Sequence, residues 1–108
     1  MPAFARRHDA ADAVPAPLER SAAETLARAL RAVADPTRLQ LLSIIAGAIS
    51  GEVTVGDLAA TLGMTQPTIT HHLRILVDDG LLVREQRGRQ VWHSIAPSRK
   101  TAILDLLR

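Results

Sequence analysis

Cysteine is absent from the 108 residues, which excludes disulfides, thiolate metal sites and cysteine redox sensing. Tyrosine is absent too, and one Trp and one Phe carry all the aromatic mass. Hydrophobic residues still make up 47%, so the core must be built from Leu, Ile, Val and Ala, a composition that favours helices. Lys100 is the only lysine, and every other basic residue is an arginine. No apolar run approaches the roughly 20 residues of a membrane span. The first residues lack the apolar stretch of a signal peptide, and the expectation is a soluble cytoplasmic protein. Nucleophile elbows, phosphate loops and paired-carboxylate signatures are missing, so no enzymatic chemistry is expected.

What remains fits one domain with a modest core, a size that often gains stability by dimerising. Net charge is +2 although the pI is about 10.4. That balance does not point to nucleic acid by itself, so the placement of the charges has to decide.

Residues 1–20 are rich in Ala and Pro, without apolar periodicity, and read as a mobile tail ahead of a domain at 21–108. Arg6, Arg7 and His8 in that tail are either solvated or in touch with DNA. Ser21, with Glu24 three residues on, predicts a capped helix start, and Leu26, Leu30 and Val33 continue an apolar stripe at helical spacing. Asp35-Pro36 predicts an N-cap and first residue of a second helix. Leu39, Leu41, Leu42, Ile44 and Ile45 make that helix apolar almost all round, hence central. A third, short helix opens at Thr54 and stops at Gly63. A fourth runs from about Thr65 to Asp79, with Ile69, Leu73, Leu76 and Val77 facing inward. Two extended segments, 81–86 and 90–95, flank Arg87-Gly88-Arg89 and read as a hairpin. After Pro97 a last helix carries Ile103, Leu104, Leu106 and Leu107.

The third and fourth helices, joined by about three residues, have the spacing of a helix-turn-helix. With the hairpin behind them they make a winged helix: mainly α, about five helices and a two-stranded hairpin. On the fourth helix, Gln66, Thr68, Thr70, His71 and Arg74 lie opposite the apolar side. Gln can pair with an adenine edge, Arg with guanine or phosphate, and a Thr methyl can meet the thymine methyl. The plain alternative is a solvated face. Arg84, Arg87 and Arg89 give the hairpin a basic tip suited to a phosphate backbone or minor groove, or simply to keeping an edge soluble. Adjacent His71 and His72 point about 100° apart and cannot share one ion. His72 leans toward the apolar side and reads as a hydrogen-bonded structural residue. His8, His71 and His93 are the candidate metal ligands, though no two share an element at ligand spacing. Asp78 and Asp79 sit where a helix C-terminus disfavours their charge, and the pattern gives no account of them.

These residues resemble the ArsR/SmtB family of bacterial winged-helix regulators. The resemblance rests on Ala34 to Leu42 (ADPTRLQLL), Val55 to Ala59 (VGDLA), Gln66 to Leu76 with Thr70-His-His-Leu73, Gly80 to Val83 and Arg87 to Trp92. That is roughly two-thirds of the chain, with the motifs in order. It implies a homodimer through the first and last helices, with Leu26, Leu30, Ile103, Leu104 and Leu107 at the interface. Two reading helices would then meet a palindromic operator in double-stranded DNA. It also implies a small effector, usually a metal ion. The Cys-x-Cys of many relatives is replaced here by Thr54-Val55-Gly56, and the last helix lacks the Asp and His pairs of others. Nickel or zinc on His and carboxylate ligands is the effector chemistry left open. The chain as a whole also resembles actinobacterial nickel-linked regulators of superoxide dismutase expression, although no ligand set in it requires nickel. A second reading is an interaction module whose sensing lies in a separate partner protein.

Overall fold

A computed structural model describes residues 13–108. Most of the expected tail, with Arg6, Arg7 and His8, lies outside the described residues. Residues 13–19 are exposed and carry no regular structure. The elements are α1 (Arg20–Val33), α2 (Pro36–Gly47), β1 (Glu52–Thr54), α3 (Val55–Leu62), α4 (Gln66–Asp78), β2 (Leu82–Arg87), β3 (Gln90–Ile95), a 3-10 turn (Pro97–Arg99) and α5 (Lys100–Leu106). No described helix is long and apolar enough to cross a membrane.

Helix α1 opens differently from the sequence expectation. Glu19 is the N-cap, and its carboxylate accepts the backbone N–H groups of Ser21 and Ala22. Ser21 lies inside the first turn, and Glu24 pairs with Arg20 instead of capping. A carboxylate one residue before the first helical position satisfies two orphan N–H groups at once, which outcompetes a single hydroxyl. At α2 the expected start holds: the Asp35 side chain accepts from Arg38 N at 3.0 Å, and Pro36 follows it.

Helix α3 begins on Thr54, whose hydroxyl accepts from Asp57 N at 3.2 Å. It ends on Gly63 in the left-handed region (φ 65°). The Met64 N–H then reaches back to the Ala59 carbonyl at 3.0 Å, the six-to-one bond of a Schellman ending. Gly63, Met64 and Thr65 are the whole connection to α4. The same device closes α4: Gly80 (φ 76°) lets Leu81 N bond Leu76 O at 2.9 Å. That turn sends the chain straight into β2.

The core gathers Leu41, Leu42 and Ile45 of α2, Leu58 of α3, and Ile69, Leu73 and Leu76 of α4, all at most 1% exposed. Removing one of these leucine side chains to the β-carbon would cost roughly 2–5 kcal/mol. The reading helix is thus anchored by three side chains on one face. The hairpin has company: β1 pairs antiparallel with β3, giving a three-stranded sheet in the order β1-β3-β2. β1 escaped the sequence reading because three residues are too few for a visible alternation. It ties the wing to the start of α3, so helix-turn-helix and wing are held together.

Candidate nucleic-acid interface

Ile69, Leu73 and Leu76 bury one side of α4, while Gln66, Thr68, Thr70, His71 and Arg74 are all exposed on the rest. The 3.6-residue period alone produces this division. Gln66, Thr70, His71 and Arg74 line one shallow groove along the helix. Thr68 stands at the helix start, where its hydroxyl accepts from Thr65 Oγ1 at 2.9 Å. Gln66 and Thr70 also share a cleft with Arg89 at the wing tip and with Gly56 and Asp57 at the start of α3. Gln66 and Thr70 on the helix and Arg89 on the wing, all picked from the sequence, therefore border one cleft.

The wing turns on Gly88 and Arg89, with Arg87 paired to Gln90. Gly88 has φ 61° and Arg89 does not have a positive φ, the pattern of a two-residue type II′ turn. Alternation then separates the arginines by face. Arg84 is opposite His93, on the side of the sheet that meets α4. Arg87 is on the other face. Its guanidinium grips Glu52 with two hydrogen bonds of 2.7 Å, reaches Glu85 at 2.6 Å and lies 5.2 Å from the Trp92 ring centre. The Arg87 hydrogen bonds hold the Glu52 carboxyl below the usual carboxylate range. Arg89 is exposed and has no carboxylate partner among the described residues.

Of the candidate metal ligands within the described residues, His71 lies on α4 and His93 on β3. His71 is exposed, and its ring meets that of His72 edge-on at 5.6 Å. His72 is hydrogen-bonded to Arg38, as expected of a structural residue. His93 is 3% exposed on β3, and its Nδ1 has no hydrogen-bond partner. Burial, and then the Arg84 charge, push its pKa down to about 4. His8 lies outside the described residues. Among the described residues no three His, Asp or Glu side chains stand close enough to hold a metal ion.

Three contributors escaped the sequence reading: Arg38, Glu52 and Trp92. The two-residue period of the strands already set Arg84 and Arg87 on opposite faces. Nothing in the pattern paired Arg87 with a residue 35 positions away.

The sequence pattern of the family described as "Bacterial regulatory protein, arsR family" matches residues 35–83. The chain is 37% identical over 90 residues to the HTH-type transcriptional regulator NmtR of Mycobacterium tuberculosis, covering 83% of this chain and 72% of the relative. This chain belongs to the arsR family. It is a winged helix-turn-helix transcriptional regulator and not an enzyme. It is also 36% identical over 85 residues to a probable mercury resistance operon repressor of Streptomyces lividans, covering 79% of this chain and 66% of that one. Among solved structures, it resembles the homodimeric winged helix-turn-helix DNA-binding domain (fragment 1–100) of Mb0332 from Mycobacterium bovis, a possible ArsR-family transcriptional regulator. The TM-score is 0.70 at 28% identity, over 87% of this chain and 86% of the other.

Proposed function

We propose that this arsR-family chain binds double-stranded DNA as a homodimer, with α4 in the major groove of a palindromic operator and the wing against the flanking backbone. The two-sidedness of α4 carries this reading: three anchored apolar side chains behind, and an exposed amide, hydroxyls and guanidinium in front. In this reading Gln66 and Arg74 meet base edges, and the Thr68 and Thr70 methyls meet thymine methyls. His71, Arg84 and Arg89 hold phosphates, and Arg87 braces the wing from behind. The DNA-binding and dimerising unit of this reading is 21–108, extended at its start by Arg20 and the capping Glu19 of α1.

The dimer face in this proposal is the groove between α1 and α5. Leu26, Leu30 and Leu106 stand 44%, 54% and 51% exposed along it. Leu104 and Leu107 are half-buried and do not line this groove; Leu107 packs against the protomer's own core. Ile103 is 3% exposed, already inside the protomer's own core, and supports the face from below. A two-fold pair built this way carries two copies of α4 about 34 Å apart, one turn of DNA. The same apolar groove would suit a separate sensor protein, the second reading.

Metal ions are the effector class that the mercury-resistance relative supports. With no thiolate in the chain, nickel or zinc on imidazole and carboxylate is the matching chemistry. His71 on α4 and His93 on β3 belong to different elements, so either ion needs further ligands, His8 or a second protomer among them. Titration calorimetry with nickel and zinc on His8→Ala, His71→Ala and His93→Ala identifies which contribute.

The deciding experiment is a nuclease footprint on the DNA upstream of this chain's own coding sequence, with and without nickel. The expected result is a protected inverted repeat with half-site centres about one helical turn apart. A stable complex with another protein, and no protected DNA, would overturn the proposal in favour of the interaction module.

A further inference from the structure

A second concavity, of about 400 Å³, lies between α4 and the wing. Its apolar walls are Leu73, Val77 and Val91, and its polar ones are Thr70, Arg74, Asp78, Arg84 and His93. Neither Arg74 nor Arg84 is paired with a carboxylate among the described residues. Both guanidiniums are exposed at the mouth of the cleft, free to close on an anion between α4 and the wing. His93, 3% exposed, forms part of the cleft wall, with its unpartnered Nδ1 enclosed behind that wall. A volume of this size is at the small end of ligand pockets, and apolar walls with a few convergent polar groups are their usual make-up.

We propose that this cleft binds a small monocarboxylate with an apolar body, and that its occupancy opposes DNA binding. The guanidinium fork matches a carboxylate in two parallel hydrogen bonds. The valines and Leu73 take up the apolar body. Asp78 leaves the lining only one positive charge in excess, so it accepts a single negative charge and disfavours polyanions. The antagonism rests on the DNA reading proposed above: Thr70 and Arg74 line both this cleft and the outer groove of α4. A carboxylate that draws Arg74 inward takes it from the DNA side.

Amide NMR spectra of the full chain, titrated with benzoate to millimolar concentration and separately with inorganic phosphate, test the binding without DNA. Benzoate is expected to shift Thr70, Val77, Val91 and His93, and phosphate to shift them far less. Arg84→Gln, at an exposed position, is expected to weaken benzoate about tenfold or more, the effect of losing one charge-assisted pair. No response, shifts centred elsewhere, or an equal response to phosphate overturns the site. In gel shifts on DNA selected from a random pool, benzoate is expected to lower the native chain's affinity, and to lower that of Arg84→Gln, already weakened by the lost phosphate contact, by a much smaller factor relative to its own benzoate-free value. Benzoate bound with DNA affinity unchanged overturns the antagonism. Failure to select any DNA would instead count against the DNA reading, and the benzoate titration keeps the two apart.

Discussion

Arg38 Nη1 lies 3.2 Å from His72 Nδ1. A guanidinium only donates, so Nδ1 accepts and the neutral ring keeps its proton on Nε2. Arg38 Nε also donates to the Ala32 carbonyl at the end of α1, and Nη1 is 3.9 Å from the Asp35 carboxylate that caps α2. One largely buried side chain therefore locks the angle of α4 against α1 and α2. Arg38→Ala is expected to cost about 2 kcal/mol in denaturant unfolding, the range for hydrogen bonds to a charged group. Arg38→Lys keeps the charge but loses the planar fork, and is expected to recover only a minor part. Full recovery by lysine would mean that charge alone, and not the three-way geometry, matters here.

The wing arginines should separate in a salt titration. Arg89→Ala removes an exposed phosphate contact in the proposed reading, so affinity falls evenly across DNA sequences and the salt slope shrinks by about one ion. Arg87 is held by Glu52, Glu85 and Trp92. Arg87→Ala is expected to weaken binding by loosening the wing, with the slope unchanged, and Glu52→Gln is expected to do the same. A reduced slope in Arg87→Ala would place that guanidinium on a phosphate.

On α4, Gln66→Ala and Arg74→Ala are expected each to lose about 1–3 kcal/mol of operator affinity and to relax base preference at one position. Selection from random-sequence DNA reads both effects. Unchanged preference in both variants would remove these side chains from base recognition.

The two central helices and the turn between α3 and α4 were legible in the sequence because they carry their own punctuation, whereas the Ser21 and Glu24 expected to cap α1 do not. Asp35-Pro36, Thr54 and Gly63 act within one turn of where they stand, and 3.6-residue spacing alone separates Ile69 and Leu73 from Thr70 and Arg74. Long-range relations left no such mark. The pairing of Val53 with His93 joins residues 40 positions apart, and three residues of β1 show no period. The Arg38–His72 bond was half visible: His72 read as a hydrogen-bonded structural residue, but its partner is 34 positions away. Asp78 made no sense as helix-end charge and does as part of the rim of the cleft beside the wing.

The proposed dimer face gives a test independent of DNA. Leu26→Glu with Leu30→Glu places two charges on an exposed stripe of α1 and leaves the protomer core untouched. Sedimentation is expected to show a monomer of unchanged helix content, and operator affinity is expected to collapse because two half-sites can no longer be held at once. Ile103→Ala addresses a different layer. Its side chain is in the core, so it should lower unfolding stability by roughly 2–4 kcal/mol. A double-glutamate chain that stays dimeric would move the interface elsewhere.

His93 makes stability depend on pH with a defined sign. Burial first, and Arg84 across the strand pair second, hold its pKa at about 4 against an ordinary 6.5. Arg74 and Asp78 are the charged groups that face it from α4, in the same cleft. Between pH 6.5 and 4 the unfolded chain takes up a proton that the folded chain refuses. Stability is therefore complete above the unfolded pKa, falls as the solution is acidified through that window, and levels off below the folded pKa. The loss from this group is at most about 3 kcal/mol, an upper bound because the ring borders an open cleft. Carboxylates with depressed pKa values, Asp35 and Glu52 among them, lose stability on acidification as well. The informative quantity is thus the difference between the native chain and His93→Gln, which stays neutral throughout. Urea unfolding at a series of pH values is expected to give a shallower fall for the variant, by up to about 1.4 kcal/mol per pH unit inside the window. Parallel curves would mean that His93 takes up its proton as readily folded as unfolded, and that the cleft beside it admits enough water to hold the charge.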